Sequence, residues 1–240
     1  MNFDLISFPN PDDLARAGAA AWLGEIESVR QSGKPYCVAL SGGRITQKFF
    51  AATVEMARSR NGSFEHVGFF WADERCVPPS DPESNFKLAD EKLFGPLKIA
   101  ERQIHRLRGE IPSAEAVEIA REELGRIATA NAKGQPVLDL VLLGMGEDGH
   151  VASLFPNASP QIWETTASFL VIENSPKPPP MRISLSFAAI VAARKVWVLA
   201  SGAGKSAALR ESLDSIGRTP LARVLQARSA TRIFSDIAGI

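Results

Sequence analysis

Short apolar runs alternate with stretches of helical periodicity along nearly the whole chain, and that alternation narrows the fold more than any other feature. Tyr36 to Leu40, Val67 to Ala72, Leu138 to Leu143 and Lys195 to Ala200 read as buried strands. Phe3 to Phe8, Phe169 to Glu173 and Arg182 to Ser186 add shorter ones. The first helix carries Ala15, Ala19, Trp22, Ile26 and Val29 at spacings of four and three, with Asp12 or Asp13 as its cap. Other helices are expected after Gly43, from about Ser84 to Leu93, from Ser113, and from Lys205 to Leu213. Strands without polar alternation need cover on both faces, which helical crossovers supply. The expectation is an α/β chain in three layers, α/β/α, around a mostly parallel sheet. A chain of 240 residues suits one catalytic domain spanning 1–240, with room for a small lobe within about 75–135.

Charge removes several classes of partner. Lys plus Arg and Asp plus Glu each total 27, so the formal net charge is zero. That balance argues against a nucleic-acid surface and against a polybasic membrane patch. No stretch approaches the ~20 apolar residues of a membrane-spanning helix. The segment from Met1 to Pro9 has neither the basic start nor the apolar core of a signal peptide. Cys37 lies in an apolar run and reads as a core residue; Cys76 follows Arg75 in a loop, where some reactivity is conceivable. A disulfide is the weaker reading, since nothing points to secretion. A cytoplasmic protein is expected, monomeric or weakly self-associating.

In open α/β sheets ligands bind beyond the carboxyl ends of the strands, and the informative residues collect there. Ser41-Gly42-Gly43-Arg44 joins a strand to a helix start, where backbone N–H groups and the helix dipole favour an anion. A tight turn that binds nothing is an equally good reading of those four residues. Asp73-Glu74-Arg75 follows a strand and precedes Val77-Pro78-Pro79, which suits a rim facing substrate; an exposed ion-pair cluster is the plain alternative. The run Gly144-Met145-Gly146-Glu147-Asp148-Gly149-His150 carries the strongest signal, with three glycines in six residues directly after the most apolar strand. Glycines of that density suit a backbone cradle for an anion or oxyanion. The histidine at the end can take a proton near neutral pH, with Asp148 placed to fix its tautomer. His66 and His105 sit in ordinary contexts and read as structural. In Ser201-Gly202-Ala203-Gly204-Lys205, the lysine opens a helix, a poor place for a cation unless an anion sits there. Arg182 could reach the same anion. The spacing is not that of a nucleotide-binding phosphate loop.

Four segments together resemble the glucosamine-6-phosphate isomerase/6-phosphogluconolactonase family: LSGGR at 40–44, WADERCVPPSDPESN at 71–85, LLGMGEDGHVASLFP at 142–156, and RISLSFAAI at 182–190 followed by GAGK at 202–205. The resemblance implies a Rossmann-like fold, as in glucosamine-6-phosphate deaminase. It also implies hydrolysis of 6-phospho-D-glucono-1,5-lactone to 6-phosphogluconate in the oxidative pentose phosphate pathway. His150 would be the general base, with Asp148 and Arg75 beside it. Ser41, Gly42, Gly43, Arg44, Asp73, Gly144, Gly146, Arg182 and Lys205 would hold substrate and its phosphate. Neither metal nor organic cofactor is implied. The family's first loop usually reads Ser-Gly-Gly-Ser-Thr-Pro, whereas Arg44, Ile45 and Thr46 follow the glycines here. Loss of a hydroxyl at Ile45 weakens one phosphate contact unless Arg44 replaces it.

Two rivals remain at this level. An amino-sugar-phosphate deaminase tends to carry an aromatic where Arg75 stands and Asn-Glu-Pro where Ser153 to Pro156 stand. A non-catalytic sugar-phosphate sensor would usually be joined to a DNA-binding segment, and no basic helix-turn-helix pattern occurs at either end.

Overall fold

The computed structural model describes residues 2–132 and 134–240. Its strands in chain order are β1 (Phe3–Ser7), β2 (Tyr36–Leu40), β3 (Val67–Trp71), β4 (Asp73–Arg75), β5 (Thr129–Ala130) and β6 (Pro136–Val137). Then follow β7 (Leu140–Gly144), β8 (Phe169–Ile172), β9 (Arg182–Leu185), β10 (Lys195–Ala200) and β11 (Thr231–Ser235). The main sheet has the order β1-β11-β10-β7-β2-β3, and every pairing in it is parallel. All five residues of β2 are buried, as are the last five of β10, so alternate side chains on both faces are covered. That is the three-layer arrangement a parallel sheet requires.

The sequence of β3 and β4 explains the second sheet. β3 ends at Trp71, and after Ala72 the chain leaves the parallel sheet as β4 to pair antiparallel with β9, which in turn pairs with β8. Ala72 holds the junction, donating its N–H to Leu40 and accepting from Leu185. The polar run at 73–75, expected as a rim after the end of a strand, is therefore itself a strand, and β8 and β9 lie outside the parallel sheet. β5 and β6 form a separate short ladder.

The first helix, Pro11–Ser32, starts two or three positions earlier than a cap at Asp12 or Asp13 would place it. Asn10 is the cap: its Oδ1 accepts from the N–H of Asp12 and Asp13 at 3.0 and 2.9 Å, while Pro11 stands where a missing N–H costs nothing. Trp22 of this helix stacks on Phe49 of the helix Arg44–Arg60, with ring centroids 5.4 Å apart. Past Leu213 the expected elements stop, yet the helix Pro220–Ala227 and β11 follow. β11 completes the sheet between β1 and β10.

One consequence of this order positions the site. From β2 the chain moves outward to β3, whereas from β7 it moves the other way, to β10 and β11. Crossovers on the two sides leave a crevice beyond the carboxyl ends of β2 and β7, where an α/β sheet binds its ligand. None of the helices among the described residues is long and apolar enough to cross a membrane.

Candidate active site

A cleft of about 400 Å³ opens at that switch point. The turns after β2 and β7 form its floor, through Ser41, Gly42, Gly43, Arg44, Gly144 and Met145. Asp73, Arg75, His150, Arg182 and Lys205 also line it. Gly146, expected to touch ligand, does not line the cleft and lies against His150 instead, while Asp148 also stays out of the lining and meets His150 as expected.

The turn from Gly144 to His150 is folded around its own groups. Gly146 N–H donates to the His150 carbonyl at 2.9 Å, and Gly149 N–H to the Gly146 carbonyl at 3.1 Å. His150 N–H points at Asp148 Oδ1. Three N–H groups of the expected anion cradle are thus occupied inside the turn. The glycines serve to make room. A Cβ on Gly146 would stand 2.0 Å from His150 Nδ1, and Gly149 has φ +76° with Thr219 pressed against it. Leu221 N–H donates to the Gly149 carbonyl, so the unexpected helix Pro220–Ala227 braces the turn from behind.

His150 is largely buried, with its ring 4.6 Å from that of Phe155. Its Nδ1 lies 2.5 Å from Asp148 Oδ1. Burial pushes the imidazole below its usual value, partly countered by the hydrogen bond and charge of Asp148. Burial also opposes the Asp148 carboxylate, but the hydrogen bond and charge of His150 outweigh it and hold the carboxyl below its usual value. A neutral imidazole that donates a hydrogen bond from Nδ1–H to a carboxylate has Nε2 free as a base.

Asp73 and Glu74 are adjacent in sequence and differ in surroundings. Asp73 faces the cleft, accepting from Ser153 Oγ at 2.7 Å, with Arg182 Nη1 at 3.8 Å. Glu74 faces away and is enclosed: it accepts from the N–H of Arg75, Asn85 and Phe86 and from Ser84 Oγ. Burial pushes its carboxyl up to about 7 in spite of those donors. It ties the segment 84–86 to β4 and is no part of a substrate rim.

The cations divide into two groups. Arg182 donates to the carbonyls of Lys177, Pro178 and Pro179 and sits over the Phe155 ring, close to Asp73 and Arg75. Burial lowers the pKa of Lys205 and nearby Arg44 lowers it further, with Glu147 and Asp236 acting the other way. Arg182 thus stands beside Asp73 and Arg75 in the wall of the cleft that Lys205 also lines. Arg75 donates to the Glu83 carbonyl at 2.7 Å, and its Nε is buried with no partner among the described residues.

Hydroxyls near the glycine turns are also occupied. Ser41 Oγ, expected at the ligand, donates to the Leu142 carbonyl at 2.8 Å. Thr46 Oγ1 donates back to the Gly42 carbonyl, and Ser201 Oγ to Asp236. Among the lining residues, Pro11 and Lys48 lie outside every segment singled out from the sequence, and Asn85 lies inside one without having been given a role. A signal existed for Asn85, since it closes the quoted segment 71–85; in the fold its Oδ1 lies 1.9 Å from where a Cβ on Gly42 would stand. For Pro11 and Lys48 there was none, because only the packing of the first two helices brings them to the cleft.

His105 stacks on Phe70 with centroids 4.8 Å apart, and His66 is exposed. Burial raises the Cys76 thiol to about 11, which leaves no thiolate for reaction near neutral pH. Among the described residues no group of three or more His, Cys, Asp or Glu is placed to hold a metal ion.

Comparison with known proteins follows the same lines as the geometry. A family model described as glucosamine-6-phosphate isomerases/6-phosphogluconolactonase matches residues 9–233. A 6-phosphogluconolactonase of Streptomyces coelicolor is 34% identical over 210 residues, covering 85% of this chain and 80% of the relative. The solved 6-phosphogluconolactonase of Trypanosoma brucei superposes with a TM-score of 0.81 at 27% identity, over 97% of this chain and 95% of that one. A monomeric glucosamine-6-phosphate deaminase shares the fold, with a TM-score of 0.78 at 16% identity over 98% and 97% of the two chains.

Proposed function

The chain belongs to the glucosamine-6-phosphate isomerase/6-phosphogluconolactonase family, and on that premise we propose that it hydrolyses 6-phospho-D-glucono-1,5-lactone with His150 as general base. The observation that carries this reading is an imidazole tied to Asp148 through Nδ1, lining the same cleft as Arg44 and Lys205.

The substrate's phosphate sits between Arg44 and Lys205, at the amino end of the helix Arg44–Arg60, where the dipole adds to both charges. Anchoring there brings the lactone carbonyl C1 to the histidine, so that remote binding energy orients the reacting group. His150 Nε2 takes a proton from water as the water oxygen bonds to C1. The carbonyl oxygen becomes an oxyanion, and Arg75, whose guanidinium lines the same cleft, is the cation that stabilises it. The C1–ring oxygen bond then breaks, and the imidazolium returns its proton to the leaving oxygen as the C5 hydroxyl. Asp148 steadies the imidazolium between these steps.

Residues 1–240 act as a single catalytic domain in this reading, in the cytoplasm, on a small phosphorylated lactone and without a nucleic-acid or membrane partner. The test is lactone disappearance with substrate generated in place, measured against spontaneous hydrolysis. Clear acceleration is expected, with no ammonia released from glucosamine 6-phosphate. Lactone loss at the background rate would end the proposal.

A further inference from the structure

We infer that Lys48, held at the cleft mouth by Asp12, is a specificity-determining cation that changes partner from Asp12 to the ligand's phosphate. The inference rests on the reading of the site given above and extends it to residues outside the motifs.

The hydroxyls at this end of the cleft have no donor to give. Ser41 donates to Leu142, Thr46 to Gly42 and Ser201 to Asp236, and Ile45 is buried and apolar. A phosphate bound here must be met by backbone N–H groups and by cations. Arg44 begins the helix Arg44–Arg60, and Lys48 stands one turn later on the same face, so both side chains flank the cleft. Lys205 lies near Arg44 across it.

Lys48 Nζ is 2.6 Å from Asp12 Oδ1, and their side chains are 47% and 68% exposed. An ion pair that open to water contributes about 0.2–1 kcal/mol and is readily exchanged. A phosphate dianion already held by two cations offers a stronger partner than one solvated carboxylate, because its oxygens accept charge-assisted bonds on a site partly shut from water. Asp12 belongs to the first turn of the first helix, whose Pro11 also lines the cleft. The start of that helix therefore sets how far the lysine stands from the ligand. Discrimination at this position is between phosphorylated and unphosphorylated ligands, since the gluconate carbon skeleton lies toward His150.

The test measures affinity of the full chain for 6-phosphogluconate and for gluconate in wild type, Lys48→Ala, Asp12→Asn and the double variant. Lys48→Ala is expected to weaken 6-phosphogluconate by about tenfold, the scale of one charge-assisted bond, and gluconate hardly at all. Asp12→Asn frees the lysine and is expected to tighten 6-phosphogluconate by up to about fivefold, which is the upper end of the exposed pair converted to affinity. That gain should vanish in the double variant. Equal losses for both ligands in Lys48→Ala, or an Asp12→Asn effect that survives removal of the lysine, overturn the inference while leaving the lactonase reading intact. A wild type that binds neither ligand and accelerates no lactone loss overturns both.

Discussion

Two glycine-rich turns border the cleft, one after β2 and one after β7, and their glycines serve different ends. At 144–150 the N–H groups of Gly146, Gly149 and His150 are bonded within the turn, and the glycines give space for an imidazole to fold over the backbone. At 41–44 the side-chain hydroxyl is turned inward and Gly43, with φ +108°, caps a 17-residue helix without any side-chain bond. The turn after β7 presents a base and the turn after β2 a positive helix end with its cations. Glycine density alone does not distinguish a scaffold for a side chain from a cradle for an anion. The destination of each N–H does.

If the division holds, damage to the β7 turn should fall on turnover and damage near the β2 turn on binding. The largest effect is expected from His150→Gln, which removes the base while keeping a polar group of similar reach. Turnover should fall by at least about 10²-fold with affinity for 6-phosphogluconate nearly kept. Near-normal turnover in that variant would dissolve the contrast at once. Lys205→Ala should weaken 6-phosphogluconate by about tenfold to a hundredfold, the range for a hydrogen bond to a charged group. Isothermal titration checks it, and a variant that binds normally but turns over slowly would move Lys205 to the wrong side of the comparison.

How much of this was legible beforehand depends on the range of the forces involved. β2, β7 and β10 could be read within a residue or two because continuous apolar runs bounded by glycine or charge have few other uses. The pairing of Asp148 with His150 is local, two residues apart, and so was legible too. What escaped depends on tertiary packing. Glu74 reads as a rim carboxylate until four donors from its own chain enclose it. Arg182 offers a sequence reader no sign that its guanidinium is also anchored by the 177–179 carbonyls and lies over Phe155. β8 and β9 have the same apolar look as parallel strands, and only the departure of the chain at Ala72 gives them a partner of opposite direction.

The smallest expected effect is the most direct probe of the β7 turn. His150 acts as a base only when neutral, so kcat/KM should fall as pH drops through its pKa, which burial has placed below the usual imidazole value. Asp148 opposes that shift, because its charge and hydrogen bond favour the imidazolium. Asp148→Asn leaves a neutral carbonyl where the carboxylate stood and withdraws the charge. The imidazolium then becomes less stable still, its pKa falls further, and the acid limb of the profile moves to lower pH. The plateau above it should drop as well, since the positive charge formed on His150 during proton transfer loses its counter-charge. An acid limb displaced to higher pH, or left in place, would mean that the carboxylate is not bonded to Nδ1 in the working enzyme, and the β7 turn would then lack the feature that sets it apart from the turn after β2.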